Sequence, residues 1–195
     1  MSLLIGLVGR AGAGKDTVGR MLVTAEELNG CLDTRPFRTV SFAAPLKKIC
    51  GDVFAFTNRQ LHGDQKEVPD PRYQRADGTY LTPREAMQVL GTQWGRACYP
   101  HVWVELGLRH AKEQMANGLS IAITDVRFIN EAKAIKEAGG QVWRVLRPEA
   151  ERVPAVHTSE AEMNRPEMGA LVDKYITNYG TFEELRAKVF EALET

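Results

Sequence analysis

The stretch GLVGRAGAGKDT, residues 6–17, restricts the fold more than any other part of the chain. It opens inside an apolar run of strand length, Leu3-Leu4-Ile5-Gly6-Leu7-Val8. It closes where Val18, Met21, Leu22, Ala25 and Leu28 begin to mark one face of a helix. Strand, glycine turn and helix is the order in which backbone N–H groups converge on an anion. Glycine takes bends that side chains forbid, and the helix start adds its positive dipole end. Gly9, Gly14 and Lys15 keep the spacing G-x-x-x-x-G-K, which a Ser or Thr reaching Mg²⁺ usually follows. Here Asp16 comes next and Thr17 one place later. We read Gly12, Ala13 and Gly14 as a phosphate cradle and Lys15 as the group that reaches the terminal phosphates. Asp16 and Thr17 are then placed for Mg²⁺, because a carboxylate beside phosphates calls for a cation close by.

Downstream, runs of strand length alternate with stretches of helical period. Strands are expected at Phe37–Phe42, Leu119–Thr124 (ending in Asp125), Gln141–Leu146 and Asp173–Thr177. Helices are expected from Ala44 to Phe56 with Pro45 in the first turn, and from Pro83 to Leu90 before a break at Gly91-Thr92. Others run through Val104–Met115, through Ile129–Ile135 up to Gly139-Gly140, and from Phe182 to Leu193. Residues 57–82 read as one long irregular segment, and residues 148–166 as polar with at most one short helix. The expected class is α/β, a parallel sheet of about five strands with helices on both faces, in a single domain. Binding belongs at the carboxyl ends of such strands, where the glycine loop, Asp125 and Arg147 fall.

Further clusters carry chemistry. In ITDVRFINEAKAI, Asp125 at a strand end suits a direct or water-mediated Mg²⁺ role, Arg127 stands at the mouth and Glu131 lies one turn on; the alternative is a capping Asp with surface charges. In SFAAPLKK, Lys47 follows a helix start. In PREAMQVLGTQW, Arg84 and Gln88 share a helix face, one suited to a phosphate fork and the other to a base edge. Trp94 and Trp103 either stack on a base or fill the core. Residues 147–166 either fold over a nucleotide as a lid bearing Arg147 and Arg152 or form an exposed connection.

The 25 basic and 25 acidic residues give no net field toward nucleic acid or membrane. No apolar run reaches bilayer length. Cys31, Cys50 and Cys98 form neither a disulfide framework nor a zinc knot and read as reduced cytosolic thiols. The four histidines show no metal-ligand spacing.

The motifs GLVGRAGAGKDT, FAAPLK, MQVLGT, ITDVRFINEAKAIKEAGG, VLRP, HTSE and ITNYGTFEEL occur in that order. Together they resemble the deoxynucleoside monophosphate kinases of tailed bacteriophages, from residue 3 to about residue 186. The resemblance implies a three-layer P-loop NTPase fold with a helical acceptor-binding insertion at about 44–118 and a lid at about 147–166. It implies transfer of the γ-phosphoryl group of ATP to a deoxynucleoside monophosphate, in a cytoplasmic enzyme needing Mg²⁺. By the resemblance Lys15, Asp16 and Thr17 hold ATP phosphates and Mg²⁺, and Asn178 approaches adenine. Lys47, Lys66, Arg84, Gln88, Gly91, Thr92, Trp103, Asp125, Arg127 and Glu131 match positions around the acceptor. Glu131 or Asp125 would meet the sugar or a base amino group. His157 and Glu160 match a family motif without an assigned role. The competing readings are another small-molecule P-loop kinase, such as dephospho-coenzyme A kinase, and an ATP-binding regulatory module with no acceptor. Homodimerisation stays open at this stage.

Overall fold

The computed structural model describes residues 2–29, 36–152 and 158–194; Cys31 and His157 lie outside them, as do the side chains of Ala25, Leu28 and Glu160. Five strands form one parallel sheet: β1 (Leu4–Val8), β2 (Phe37–Val40), β3 (Ser120–Val126), β4 (Gln141–Leu146) and β5 (Lys174–Thr177), in the order β2-β3-β1-β4-β5. The helices are α1 (Lys15–Asn29), α2 (Ala44–Phe54), α3 (Asn58–His62), α4 (Pro83–Gln88), a π-helix (Val89–Arg96), α5 (Val102–Ala116), α6 (Ile129–Glu137), α7 (Pro148–Glu151), α8 (Thr158–Met163), α9 (Pro166–Gly169) and α10 (Phe182–Glu194). The chain divides into two compact units, Met1–Phe42 with Leu106–Thr195, and Ala43–Glu105.

The first unit holds the sheet. β1 lies at its centre and every residue of it is buried, as a parallel strand covered on both faces requires. Its side chains alternate between two cores. Ile5 and Leu7 join Val18, Leu22, Leu185 and Val189 of α1 and α10. Leu4 and Val8 join Ala132, Ile135 and Met168 on the other face. Each such side chain contributes roughly 1.5–3 kcal/mol by leaving water. Between them, Gly6 admits Ile135, whose Cδ1 would lie 2.5 Å from any added Cβ.

The second unit has a small core of Cys50, Phe56, Leu61 and Ala86, packed by Phe54, Tyr73 and Leu81. Phe54 and Phe56 stack at 5.1 Å, and Tyr73 sets its edge against both. Residues 57–82, expected to be irregular, contain α3, started by a capping box in which Thr57 and Gln60 satisfy each other's backbone N–H. The segment is pinned by Asp70, only 3% exposed, which accepts from Gln60 Nε2 (2.7 Å) and from Arg72 Nε (2.9 Å) and Nη2 (2.6 Å). The Arg72 guanidinium holds the Asp70 carboxyl well below the usual carboxylate range.

The break expected at Gly91-Thr92 is absent. The helix continues from α4 straight into the wide π turn. A π turn pairs its carbonyls five residues on and is wider than an α turn. Trp103 packs on it: its indole N–H donates to the Gly91 carbonyl at 2.8 Å, and its ring lies 2.6 Å from where a Cβ on Gly95 would sit. Gly95 makes room for the indole, while a Cβ on Gly91 would meet Leu46 Cδ2 at 3.3 Å.

The polar segment 148–166 also departs from expectation. It holds α7 and α8, with α9 beginning at its end, and its Met163 is buried at 1% exposure.

Candidate active site

The glycine loop runs from Gly9 to the start of α1. Gly12 and Gly14 take left-handed φ values of 77° and 100°, which side chains resist. Gly14 also needs to be bare because Asn178 Nδ2 stands 2.4 Å from where its Cβ would be. The first helical bond is Val18 N–H to the Gly14 carbonyl at 2.9 Å. The N–H groups of residues 14–17 therefore have no acceptor within the helix and mark its positive end. Lys15 is 8% exposed; its Nζ donates to the carbonyls of Gly9 (2.6 Å) and Arg10 (2.8 Å). Asp16 is exposed, and the half-buried Thr17 accepts weakly from Arg20 at 3.5 Å.

Two groups brace this loop from outside. Asn178 follows β5 and donates its amide to the Ala13 carbonyl at 2.8 Å. Its nitrogen thus fixes the shape of the loop, a role that the expected approach to adenine did not foresee. Arg10 faces Glu151 at the end of α7, with Nε 3.3 Å from Oε2. Arg147, also expected near ATP, is half-exposed and pairs with Glu149 at 3.2 Å.

β3 neighbours β1, and Val126 lies in register with Val8. Gly9 and Arg127 are each one residue further, so the backbone of Arg127 follows the strand pair on the side where the glycine loop begins. Asp125 accepts from the Ser41 hydroxyl (2.6 Å) on one oxygen and from the Phe42 N–H (2.8 Å) on the other, tying the end of β2 to β3. Glu131 is 3% exposed, and its Oε2 accepts from the N–H groups of Arg127 (2.7 Å) and Phe128 (3.0 Å). Glu131, read from sequence as meeting a sugar or base, braces the turn under Arg127 through its Oε2. The Arg127 side chain is half-buried, and among the described residues its guanidinium makes no ion pair or hydrogen bond.

The second unit gathers other cations. Lys47, half-buried on α2, has no hydrogen bond or ion pair among the described residues. Lys47 and Lys66 both act on His62 of α3: after burial, their charges push its imidazolium below the ordinary 6.5. His62 had no motif to mark it; only folding brings it to the two lysines. The Arg84 N–H donates to the Lys66 carbonyl at 2.9 Å, and its guanidinium Nε donates to Glu67 at 2.7 Å. Gln88 and Thr92 are both half-buried, while Gly91 is buried. Of the two tryptophans, Trp103 is 5% exposed and committed to the π-helix, so its ring does not offer a stacking face; Trp94 is 55% exposed.

A parallel 2-3-1-4-5 sheet with a glycine loop and buried lysine after its central strand defines a P-loop kinase fold. A dephospho-CoA kinase from Campylobacter jejuni shares that architecture, with a TM-score of 0.51, 12% identity and coverage of 100% of this chain and 96% of that one. Residues 72–189 match the family model for deoxynucleotide monophosphate kinase, and the chain belongs to that family. A protein of Acanthamoeba polyphaga mimivirus described as a putative deoxynucleotide monophosphate kinase is 31% identical over 98% of this chain and 96% of its own. The deoxynucleoside-5'-monophosphate kinase of Escherichia phage T5 is 26% identical over 91% of this chain and 88% of its own.

Proposed function

We propose that this protein transfers the γ-phosphoryl group of ATP to the phosphate of a deoxynucleoside 5'-monophosphate, giving the diphosphate and ADP. The acceptor oxygen is already anionic, so its bond to the γ-phosphorus forms as the β–γ bridging bond breaks, and no protein base is required. Catalysis then rests on positioning and charge neutralisation.

The observation that carries this reading is the guanidinium of Arg127, half-buried and without a described partner, one residue beyond the strand pair that aligns it with the glycine loop. A protein that only senses ATP has no use for it. In this reading the loop amides of Gly12, Ala13 and Gly14 with Lys15 take the ATP phosphates, aided by Arg147, while Asn178 keeps the loop in shape. Arg127 meets the charge between donor and acceptor, and Asp125 holds the end of β2 in place. Lys47, Lys66 and Arg84 take the acceptor phosphate, and Gln88, Thr92 and the Gly91 turn face its nucleoside. The Asp16 carboxylate and Thr17 hydroxyl are hard oxygen donors that suit Mg²⁺, which when bound with ATP neutralises charge on its phosphate oxygens.

The test mixes protein and Mg-ATP with each deoxynucleoside monophosphate, with dephospho-coenzyme A, and with no acceptor, and follows ADP. ADP release that depends on a deoxynucleotide is expected; release indifferent to acceptor removes the kinase reading. Lys15→Ala is expected to lower kcat by about 10²-fold or more while leaving the circular dichroism spectrum unchanged.

A further inference from the structure

The start of α6 is held by two carboxylates from different parts of the chain. Glu131 covers the N–H groups of Arg127 and Phe128. The next N–H, that of Ile129, donates to Glu162 Oε2 at 3.1 Å. Glu162 lies on α8, 33 residues away, and nothing in its local sequence marks it. Its neighbours fix it in turn: Met163 is buried at 1% exposure, and Asn164 accepts from Arg144 of β4 at 3.5 Å. The carboxylate is thus delivered by an anchored element. Together the two acids satisfy three successive N–H groups at a helix start, where negative charge is favoured.

We infer that Glu162 is a positioning residue for Arg127. Arg127 sits in a short turn between β3 and α6. Glu131 can hold that turn only from within α6, so it moves with the helix. Glu162 ties the same turn to α8 and through it to β4, so that Arg127 keeps a fixed place relative to the sheet. The inference rests on the role given to Arg127 above. A guanidinium that must meet charge developing in transfer loses rate on small displacements.

The experiment measures kcat and both KM values for Glu162→Ala, Glu162→Gln, Arg127→Ala and the double variant Glu162→Ala with Arg127→Ala, at a temperature where all are folded. Glu162→Ala is expected to lower kcat by about tenfold with the KM for ATP within about twofold of the parent. Glu162→Gln keeps an oxygen for the Ile129 N–H and is expected to recover most of that loss. In the Arg127→Ala background the same change is expected to cost nothing further, because its effect passes through the missing guanidinium. Losses that simply multiply in the double variant, or a Glu162→Ala protein with parental kcat, overturn the inference. So does a loss in Glu162→Ala that tracks the folded fraction alone. Those results leave the kinase reading standing, whereas absence of any acceptor-dependent ADP release from the parent protein removes the kinase reading instead.

Discussion

At the scale of single residues, the cations differ in what already engages them. Lys48 pairs with Asp52, Arg59 with Asp64 and Arg72 with Asp70, while Lys47 and Arg127 have no such partner among the described residues. His62 senses Lys47 directly. Burial and the charges of Lys47 and Lys66 lower its pKa, so it is largely neutral at pH 7. A phosphate monoester held by those lysines reverses their influence, so the His62 pKa is expected to rise when a deoxynucleotide binds. Following its ring proton by NMR across pH 5–8 with and without the nucleotide checks this; an unmoved titration would place the acceptor phosphate elsewhere. The glycine loop, Asp125 and Arg127 were legible in the sequence, because strand-end position and residue type suffice to mark them. The true partners of Glu131, Glu162 and Asn178 were not. Each meets a backbone group that has no residue-type signature, and for Glu162 and Asn178 that group belongs to a distant segment.

Among the elements, the sheet was readable and the π-helix was not. Parallel central strands carry continuous apolar runs, and β1, β3 and β4 do so within a residue or two of expectation. Gly91 carries the opposite signal: with Thr92 it reads as a break, yet the helix runs through it, its carbonyl accepting from Trp103 of α5, whose ring packs on Gly95. Likewise α3 escaped notice because it is five residues long, below any detectable period. Gly95→Ala forces a methyl to within 2.6 Å of the indole and is expected to cost about 1–3 kcal/mol in chemical denaturation. Trp103→Phe, which keeps a ring but loses the indole bond to the Gly91 carbonyl, is expected to cost about 0.5–1.5 kcal/mol by the same measurement.

For the whole molecule, two groups make stability fall as pH falls. Asp70 has a lowered pKa, so it contributes stability that is present above its unfolded value of 3.8 and is lost as pH falls through the folded one. The lowered pKa of His62 acts earlier: below 6.5 the unfolded chain takes up that proton first, and stability declines with falling pH. Both groups lie in the Ala43–Glu105 unit, which has the smaller core of the two. Asp70→Asn is expected to destabilise at pH 7 by about 1–3 kcal/mol, its partner Arg72 being half-exposed, and to flatten the fall in melting temperature as pH drops from 4 toward 2. Scanning calorimetry at several pH values reads both effects.

The amide that shapes the glycine loop comes from residue 178, beyond the last strand, 165 residues after the carbonyl it holds. Synthesis delivers the two ends of that bond in order, and a nascent chain carries the loop long before its brace exists. If the loop takes a triphosphate as proposed, firm capture is expected to wait for β5 to dock at the sheet edge, and nucleotide affinity would report that this strand has arrived.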